Sequence, residues 1–248
     1  MRAERWEGAG NVYLLVEAGA PADVGAVCRR HHADGVLVLS DAAGADVAMR
    51  IINPDGSEPE ACGNGTRMVA RYVAARDGLD AVRIATAAGV LDTRVRGDGT
   101  VTARMPDART SDPAQYRPDD EPFAHPHRFV SIGNPHVTIR VADPASFPLQ
   151  REGPVLEHHP WFPERANVEV WRPRADGSVE MRVWERGVGE TQACGTGACA
   201  VAVAAVLDGV AASPVTVRLP GGDLEIAVGR DLAIEMTGPA ERLEVLAL

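Results

Sequence analysis

The chain has 248 residues, which is enough for one large domain or for two of about 120 residues, each with an adequate core. Its 35 acidic and 25 basic residues give a net charge of −10, which makes nucleic acid and anionic membrane surfaces poor partners. All the basic residues are arginine. Because pyridoxal phosphate enzymes hold their cofactor on a lysine, any amino-acid chemistry here must proceed without that cofactor.

The start of the chain and its cysteines predict a cytoplasmic protein. The stretch MRAERWEGAGNVYLLV has no uninterrupted apolar segment behind basic residues, as a secretory signal would have. Nowhere does the sequence contain an apolar run long enough to cross a bilayer. The cysteines stand at 28, 62, 194 and 199 and are too few for a disulfide scaffold, so we expect free thiols in a reducing compartment.

The first half of the chain predicts a strand-rich fold with two helices. A turn at 8–10 leads into the first strand, and Asn53-Pro54-Asp55-Gly56 is a strong turn signal. The predicted strands are 11–17, 35–40, 46–53, 81–86, 90–96 and 99–105, and the predicted helices are 22–32 and 64–76. The Pro- and Asp-rich segment 106–127 has no period of either kind, so we predict a linker there.

The second half repeats this order. Residues 129–141 correspond to the opening strand, and 219–228 echoes 86–95. The other predicted elements are a polar helix or loop at 151–165, strands at 167–172, 178–184, 231–236 and 242–247, and an apolar helix at 197–208. A helix that is apolar nearly all round tends to be enclosed, so each half is expected to wrap its sheet around its helix.

One stretch occurs twice. Residues 49–65 read MRIINPDGSEPEACGNG and residues 181–197 read MRVWERGVGETQACGTG, and they align without a gap at an offset of 132 residues. The Met-Arg pair, one glutamate and Ala-Cys-Gly coincide in the two copies. Each copy runs into an Ala- and Val-rich helical segment, so Cys62 and Cys194 are predicted at equivalent helix N-termini.

A cysteine at the start of a helix is placed for chemistry. The helix N-terminus carries unsatisfied N–H groups and about half a positive charge, which can lower a thiol pKa from about 8.5 to about 3.5–7.5. The glycines that follow each cysteine let an anionic group approach bare amides. Two such sites could hold one carboxylate between two sulfurs.

This arrangement suggests inversion at an amino-acid α-carbon. One thiolate would remove the α-proton, and the opposite thiol would deliver a proton to the other face. Amide donors would stabilise the charge that develops on the carboxylate. Because one sulfur starts ionised and the other protonated, the two titrate as a coupled pair and the activity should be bell-shaped in pH.

The sequence resembles the diaminopimelate epimerase family, cofactor-independent two-cysteine enzymes of lysine and peptidoglycan precursor synthesis. The stretches that carry the resemblance are GAGN at 8–11, NPDGSE and ACGNG within 53–65, GNPH at 133–136, FPERANVE at 162–169 and ERGVGETQACGTGACA at 185–200. The resemblance implies an α/β (α+β) fold of two pseudo-symmetric domains, each a β-barrel-like sheet around a central helix, with the active site between them. It implies domains of 1–110 with 237–248 and of 111–236, a diaminopimelate substrate, no cofactor or metal, and a homodimer.

The resemblance also assigns roles to residues. Cys62 and Cys194 would be the acid/base pair, and the amides of Gly63, Asn64, Gly195 and Thr196 would hold the reacting carboxylate. The side chains implied for the amino groups and the far carboxylate are Asn11, Asn53, Asn134, Asn167, Glu185 and Arg186. His136 and Glu185 would tune the thiols. The chain departs from the family at Val12, where an acidic residue is usual, and in a shortened segment at 31–35.

Several alternatives compete with this interpretation. A racemase of another amino acid, such as histidine or proline, could share the fold, and a non-catalytic amino-acid-binding or redox-sensing protein could use the same cleft. Cys194, Cys199, His31 and His32 could form a zinc site, although the cysteine spacing is not that of common zinc motifs. Cys28 and Cys199 lie in apolar helical patterns that favour core positions.

Overall fold

The structure, a computed structural model, describes residues 1–17, 19–59, 62–114, 116 and 125–248. These residues divide into two compact units, one of 1–104 with 237–248 and one of 105–236. Within the described residues, no helix is both long enough and apolar enough to cross a membrane.

The first unit holds most of its elements in a single sheet. Its elements are β1 (Arg2–Gly8), β2 (Asn11–Val16), α1 (Val24–His31), β3 (Gly35–Ser40), β4 (Val47–Ile52), α2 (Gly63–Asp77), β5 (Ala81–Thr86), β6 (Gly89–Val95), β7 (Val101–Met105) and, from the end of the chain, β16 (Glu241–Ala247). The strands lie in the order β16-β1-β2-β3-β4-β5-β6-β7. Strands β2 and β3 pair in parallel across α1, and β4 and β5 pair in parallel across α2.

The second unit repeats this arrangement. Its elements are β8 (His127–Ser131), β9 (Pro135–Arg140), α3 (Leu149–Glu157), β10 (Asn167–Pro173), β11 (Val179–Glu185), β12 (Gly189–Thr191), α4 (Gly195–Leu207), β13 (Val215–Leu219), β14 (Gly222–Val228) and β15 (Ile234–Gly238), whose last residues pass into the first unit. Strands β9 and β10 pair in parallel across α3, and β11 and β13 pair in parallel across α4. Each cysteine helix is therefore the crossover between two parallel strands.

Each long helix is enclosed by the sheet of its own unit, as its composition predicts. Helix α4 packs against β8, β9, β10, β11, β13 and β14, and α2 packs against β1, β2, β4, β5 and β6. A helix can touch that many strands of one sheet only if the sheet curls around it. All side chains from Ala198 to Ala205 are fully buried, which confirms an enclosed α4. Burial of each valine there contributes about 1.5–3 kcal/mol relative to exposure.

Local signals explain where the elements begin and end. Strands β1 and β2 join through Ala9 and Gly10, both with positive φ, which is the geometry of a tight hairpin turn. Helix α1 starts at Asp23, whose carboxylate accepts from the Ala26 amide at 2.8 Å. Helix α2 stops at Gly78, which has a left-handed φ of 72°.

Most predicted elements are confirmed, and three predictions need correction. Strand β1 precedes the strand predicted to be first, because the hairpin turn at 9–10 joins two strands. The single strand predicted at 129–141 is two antiparallel strands, β8 and β9. The strands β12 and β13 were not predicted, and the ambiguous 151–165 contains α3. Residues 115 and 117–124 of the predicted linker, and Glu60 and Ala61 of the repeat, lie outside the described residues.

Candidate active site

Cys62 is the N-cap residue of α2. Its extended backbone (φ −144°, ψ 112°) turns the side chain back onto the helix, where the sulfur accepts from the Gly65 amide at 3.4 Å. The half-buried thiol points to the Tyr13 hydroxyl, with 3.5 Å between sulfur and oxygen. The thiol thus takes the role that a Ser, Thr, Asp or Asn side chain usually fills at a helix start.

Two of the predicted asparagines meet at the start of α2. The amide group of Asn64 donates to Asn11 Oδ1 at 2.6 Å, and Asn11 donates to the Asp34 carboxylate at 3.3 Å. The fully buried Arg67 guanidinium donates to Asn64 Oδ1. Asn53 lies at the turn after β4 and donates to the Ser57 hydroxyl at 3.0 Å.

Cys194 occupies the same position on α4. Its backbone (φ −130°, ψ 112°) and its 3.4 Å contact with the Gly197 amide match those of Cys62. The sulfur also lies 3.5 Å from the Thr196 hydroxyl. Unlike Cys62, Cys194 is buried, with only 6% of its surface exposed.

A chain of polar side chains leads from Cys194 into the core of the second unit. Thr196 Oγ1 accepts from the Asn134 amide at 3.4 Å, and Asn134 Oδ1 lies 3.0 Å from His136 Nε2. On its other side, His136 Nδ1 lies 2.7 Å from a carboxylate oxygen of Glu169, and both side chains are fully buried. The structure therefore brings together the predicted residues Asn134, His136 and Thr196 and adds Glu169.

The turn between β11 and β12 carries two more predicted residues. Glu185 accepts a hydrogen bond from the Thr191 hydroxyl. The backbone amide of Arg186 donates to Asn167 Oδ1 at 3.0 Å, and its guanidinium donates to the Glu164 carbonyl at 3.0 Å. Asn167 in turn donates to the Pro135 carbonyl at 3.0 Å, which ties this turn to the start of β9.

A buried carboxylate fixes the same turn from α3. Glu157 accepts from the Gly187 amide at 2.8 Å, from the Trp184 indole at 2.8 Å and from the Arg165 guanidinium at 3.2 Å. Burial raises the pKa of Glu157, but the hydrogen bonds from Trp184 and Gly187 together with nearby positive charges outweigh that effect and hold its pKa below the usual range. Glu157 therefore anchors the turn that presents Glu185 and Arg186.

Electrostatics around Cys194 differ from the prediction made from the helix end alone. Burial, followed by the negative charges of Glu185 and Glu169, raises the pKa of the Cys194 thiol well above its ordinary value. The hydrogen bonds from Thr196 and Gly197 act in the opposite direction and are the weaker effect. This direction is opposite to the lowering expected from the helix end, because desolvation and the two carboxylates act more strongly than the hydrogen bonds at the start of α4. Burial likewise raises the pKa of Glu185.

Sequence reasoning did not single out several residues of these networks, among them Tyr13, Arg67, Glu157 and Glu169. A weak signal existed for Tyr13, because the repeat places it where His136 stands in the second half. Glu169 lies inside the FPERANVE stretch, but a glutamate in an otherwise apolar strand has no motif of its own. Glu157 comes to this site only through the fold.

All four cysteines are free, and Cys28 and Cys199 are buried as predicted. Among the described residues, no group of three or more His, Cys, Asp or Glu side chains is placed to hold a metal ion. That finding gives no support to the zinc alternative built on Cys194, Cys199, His31 and His32, all of which are described.

Comparisons with known proteins agree with the motifs. The sequence profile of the family described as diaminopimelate epimerase matches residues 7–110 and 128–243. A diaminopimelate epimerase of Cyanothece sp. is 42% identical over 271 aligned positions, covering 96% of this chain and 96% of the relative. One of Pelotomaculum thermopropionicum is 40% identical, covering 98% and 97%.

Among solved structures, a putative phenazine biosynthesis PhzC/PhzF protein from Clostridium difficile is similar, with a TM-score of 0.75 and 12% identity. The similarity covers 100% of this chain and 99% of the Clostridium difficile chain. At this identity, the likeness shows the fold alone.

Proposed function

Because the chain belongs to the diaminopimelate epimerase family, we propose that it is an isomerase that interconverts LL- and meso-diaminopimelate by a two-base mechanism without a cofactor. This places it in lysine and peptidoglycan precursor synthesis. Cys62 and Cys194 are the acid/base pair. The observation that carries this proposal is the duplicated N-cap cysteine, with the same backbone angles and the same 3.4 Å contact to the amide three residues on.

The reacting carboxylate is held by the two helix starts. The amides of Gly63 and Asn64 on α2, and of Gly195 and Thr196 on α4, belong to the first turns, which lack intrahelical partners for their N–H groups. The positive helix ends favour an anion there, and the charge that develops in the transition state falls on that same group.

The remaining predicted side chains bind the rest of the substrate. The amide side chains of Asn11, Asn53, Asn134 and Asn167 supply both donors and acceptors for ammonium and carboxylate groups. Arg186 provides a planar cation that suits the far carboxylate, and Glu185 provides an anion that suits an ammonium group. A diacid diamine such as diaminopimelate uses both kinds of contact, whereas proline would leave them without partners.

Inversion requires the two sulfurs to act on opposite faces of one α-carbon. A thiolate takes the α-proton, the electron pair delocalises into the carboxylate, and the other thiol returns a proton to the opposite face. The C–H bond broken and the C–H bond formed balance, and each turnover leaves the two sulfurs with exchanged protonation. Burial and two nearby carboxylates favour the protonated form of Cys194 at rest.

The proposal is tested with purified protein and a panel of free amino acids. We expect interconversion of LL- and meso-diaminopimelate, followed by chiral chromatography, and no inversion of proline or histidine. Inversion of another amino acid but not diaminopimelate would move the protein to the racemase alternative. Binding of diaminopimelate without inversion would identify a non-catalytic binding protein.

Three further properties belong to this proposal. We propose that the halves 1–110 with 237–248 and 111–236 are the two domains of the enzyme, each carrying one catalytic cysteine. A cytoplasmic location is supported by four free cysteines. A homodimer is supported by Leu243 and Val245, which are 46% and 50% exposed on β16. Analytical ultracentrifugation measures the oligomeric state directly.

A further inference from the structure

The two halves place different residues against equivalent glycines. A β-carbon on Gly65, in the first turn of α2, would lie 2.9 Å from Leu37 Cδ2, and one on Gly197, in the first turn of α4, would lie 2.8 Å from Glu169 Oε1. Leu37 and Glu169 are related by the same 132-residue offset as the two cysteines. The first unit therefore has a leucine at the position that Glu169 occupies in the second.

The strand next to each of these residues differs in the same way. Tyr13 pairs with Gly35 in the first unit, and His136 pairs with Asn167 in the second, so the two register positions are equivalent. The first unit has a neutral Tyr13 and Leu37, whereas the second has the hydrogen-bonded pair of His136 and Glu169.

The buried position of Glu169 is energetically unfavourable. The side chain is fully buried, one oxygen lies 2.7 Å from His136, and the other has no hydrogen-bond partner among the residues that the structure describes. A buried carboxylate with an unpaired oxygen costs free energy that a leucine would not. Since the equivalent leucine serves the fold in the first unit, packing alone does not account for Glu169.

Glu169 is connected to the proposed acid/base group. Successive contacts of 2.7, 3.0, 3.4 and 3.5 Å link it through His136, Asn134 and Thr196 to the Cys194 sulfur. It also lies close to the first turn of α4, with Oε1 2.8 Å from where a β-carbon on Gly197 would stand. The carboxylate can therefore act on Cys194 both through the orientation of these groups and through its charge.

We propose that Glu169 is a positioning residue of the epimerase site: together with His136 it orients Asn134 and Thr196 against the Cys194 sulfur, and its charge keeps the proton on that sulfur. This inference rests on the proposed function only in taking Cys194 as an acid/base group. The fully buried geometry of Glu169 and His136 supports it independently.

The charges around α4 allow this assignment. Glu169, Glu185 and His136 surround its first turn, and Glu185 and Glu169 follow burial as causes of the raised pKa of Cys194. At the far end of α4, Arg128 and Arg140 form ion pairs with Asp208. The other strands that pack against α4 carry charged residues that form ion pairs: Arg218 with Asp176, Glu180 with Arg172 and Arg174, and Arg182 with Glu190. The acidic residues of β14 are Asp223 and Glu225.

The test is a pH titration of the individual thiols by NMR, with protein labelled with carbon-13 at the cysteine β-carbons and resonances assigned through Cys194→Ser. In the wild type, Cys194 should ionise well above the ordinary thiol value of about 8.5. Glu169→Gln keeps the shape but removes the charge, so the Cys194 midpoint should fall by about 1 pH unit while the Cys62 midpoint stays. The high-pH limb of kcat/KM should move down with it.

Two further variants separate charge from packing. Glu4→Gln removes a buried glutamate of the first unit, so the Cys194 midpoint should not move. The double variant His136→Tyr with Glu169→Leu installs the pair that the first unit uses, and it should fold and also lower the Cys194 midpoint.

An unchanged Cys194 midpoint in Glu169→Gln, or a wild-type midpoint at or below the ordinary value, overturns the inference. The inference is also overturned if neither Glu169→Gln nor the double variant folds, because Glu169 would then be needed for the structure. The titration requires no turnover. If the protein is an active epimerase but the Cys194 midpoint does not shift in Glu169→Gln, only the role of Glu169 is rejected. If the midpoint shifts but the wild type has no epimerase activity, only the proposed function is rejected.

Discussion

The starts of α2 and α4 have the same backbone and different surroundings. Both begin at a cysteine that accepts from the amide three residues on at 3.4 Å. Cys62 is half-buried beside a tyrosine hydroxyl, whereas Cys194 is buried beside two carboxylates. The repeat thus supplies a symmetric scaffold, and side chains from the neighbouring strands make the two thiols unequal. A two-base inversion needs one sulfur protonated and the other ionised, and these surroundings favour the form in which Cys194 holds the proton.

The largest effect should come from the sulfurs themselves. Cys62→Ser and Cys194→Ser should each lower kcat for diaminopimelate inversion by about 10²–10⁴-fold, the usual contribution of an acid/base group. Each single variant should lose nearly as much as the double variant, because neither base works alone. Steady-state kinetics measures the loss in kcat, and thermal unfolding checks that the variants fold. Near-wild-type turnover in either variant would show that the two cysteines do not act as an acid/base pair.

The equivalent glycines should respond differently to alanine. In Gly65→Ala the new methyl meets the end of the Leu37 side chain, and the gain of about 1 kcal/mol in helix propensity offsets the displacement. In Gly197→Ala it meets the carboxylate that binds His136, so we expect a loss of about 1–3 kcal/mol in unfolding free energy. Denaturant titration compares the two, and equal losses would show that the glycines have equal surroundings.

The turn that carries Glu185 and Arg186 should depend on Glu157. Glu157→Gln places an amide NH₂ where the carboxylate accepts three hydrogen bonds, so one donor loses its acceptor. We expect KM for diaminopimelate to rise about tenfold, with a smaller change in kcat. Glu152→Gln on the same helix is the matched control and should leave KM unchanged. A KM that rises equally in both variants would contradict the anchoring role.

The last comparison concerns a duplicated ion pair, and one of its two arginines should have no measurable effect. Arg50 and Glu58 pair at 2.6 Å in the first copy of the repeat, and Arg182 and Glu190 pair at 2.7 Å in the second. Arg182 is the less exposed arginine, and it also donates to the Pro144 and Phe147 carbonyls.

Arg182→Gln should therefore cost about 1–3 kcal/mol of unfolding free energy, whereas Arg50→Gln should cause no measurable change. Thermal unfolding of both variants checks this. A larger loss from Arg50 would mean that the first copy of the ion pair matters more than its exposure indicates.

The sequence predicts the parts of this protein that have a period or a duplicate. Enclosure of α4 follows from its apolar composition, and the shared setting of Cys62 and Cys194 follows from the repeat. Strand β1 was missed because a hairpin turn reads equally well as the start of one strand or the link between two.

The inequality of the thiols could not be predicted. It depends on Glu169, which lies 25 positions before Cys194, and on burial, which only the packed strands create. Local sequence reports the helix end that favours a thiolate. It does not report the carboxylates that the sheet brings alongside.

In a two-base inversion, two sulfurs move two different protons in one turnover, and the uptake of solvent deuterium reports this transfer. LL-diaminopimelate should be incubated with the wild-type protein in deuterated water and sampled early. For the two-base mechanism, we expect one solvent deuterium at the inverted α-carbon of the meso product and protium at both α-carbons of the unreacted substrate. A meso product that keeps its α-protium would contradict it.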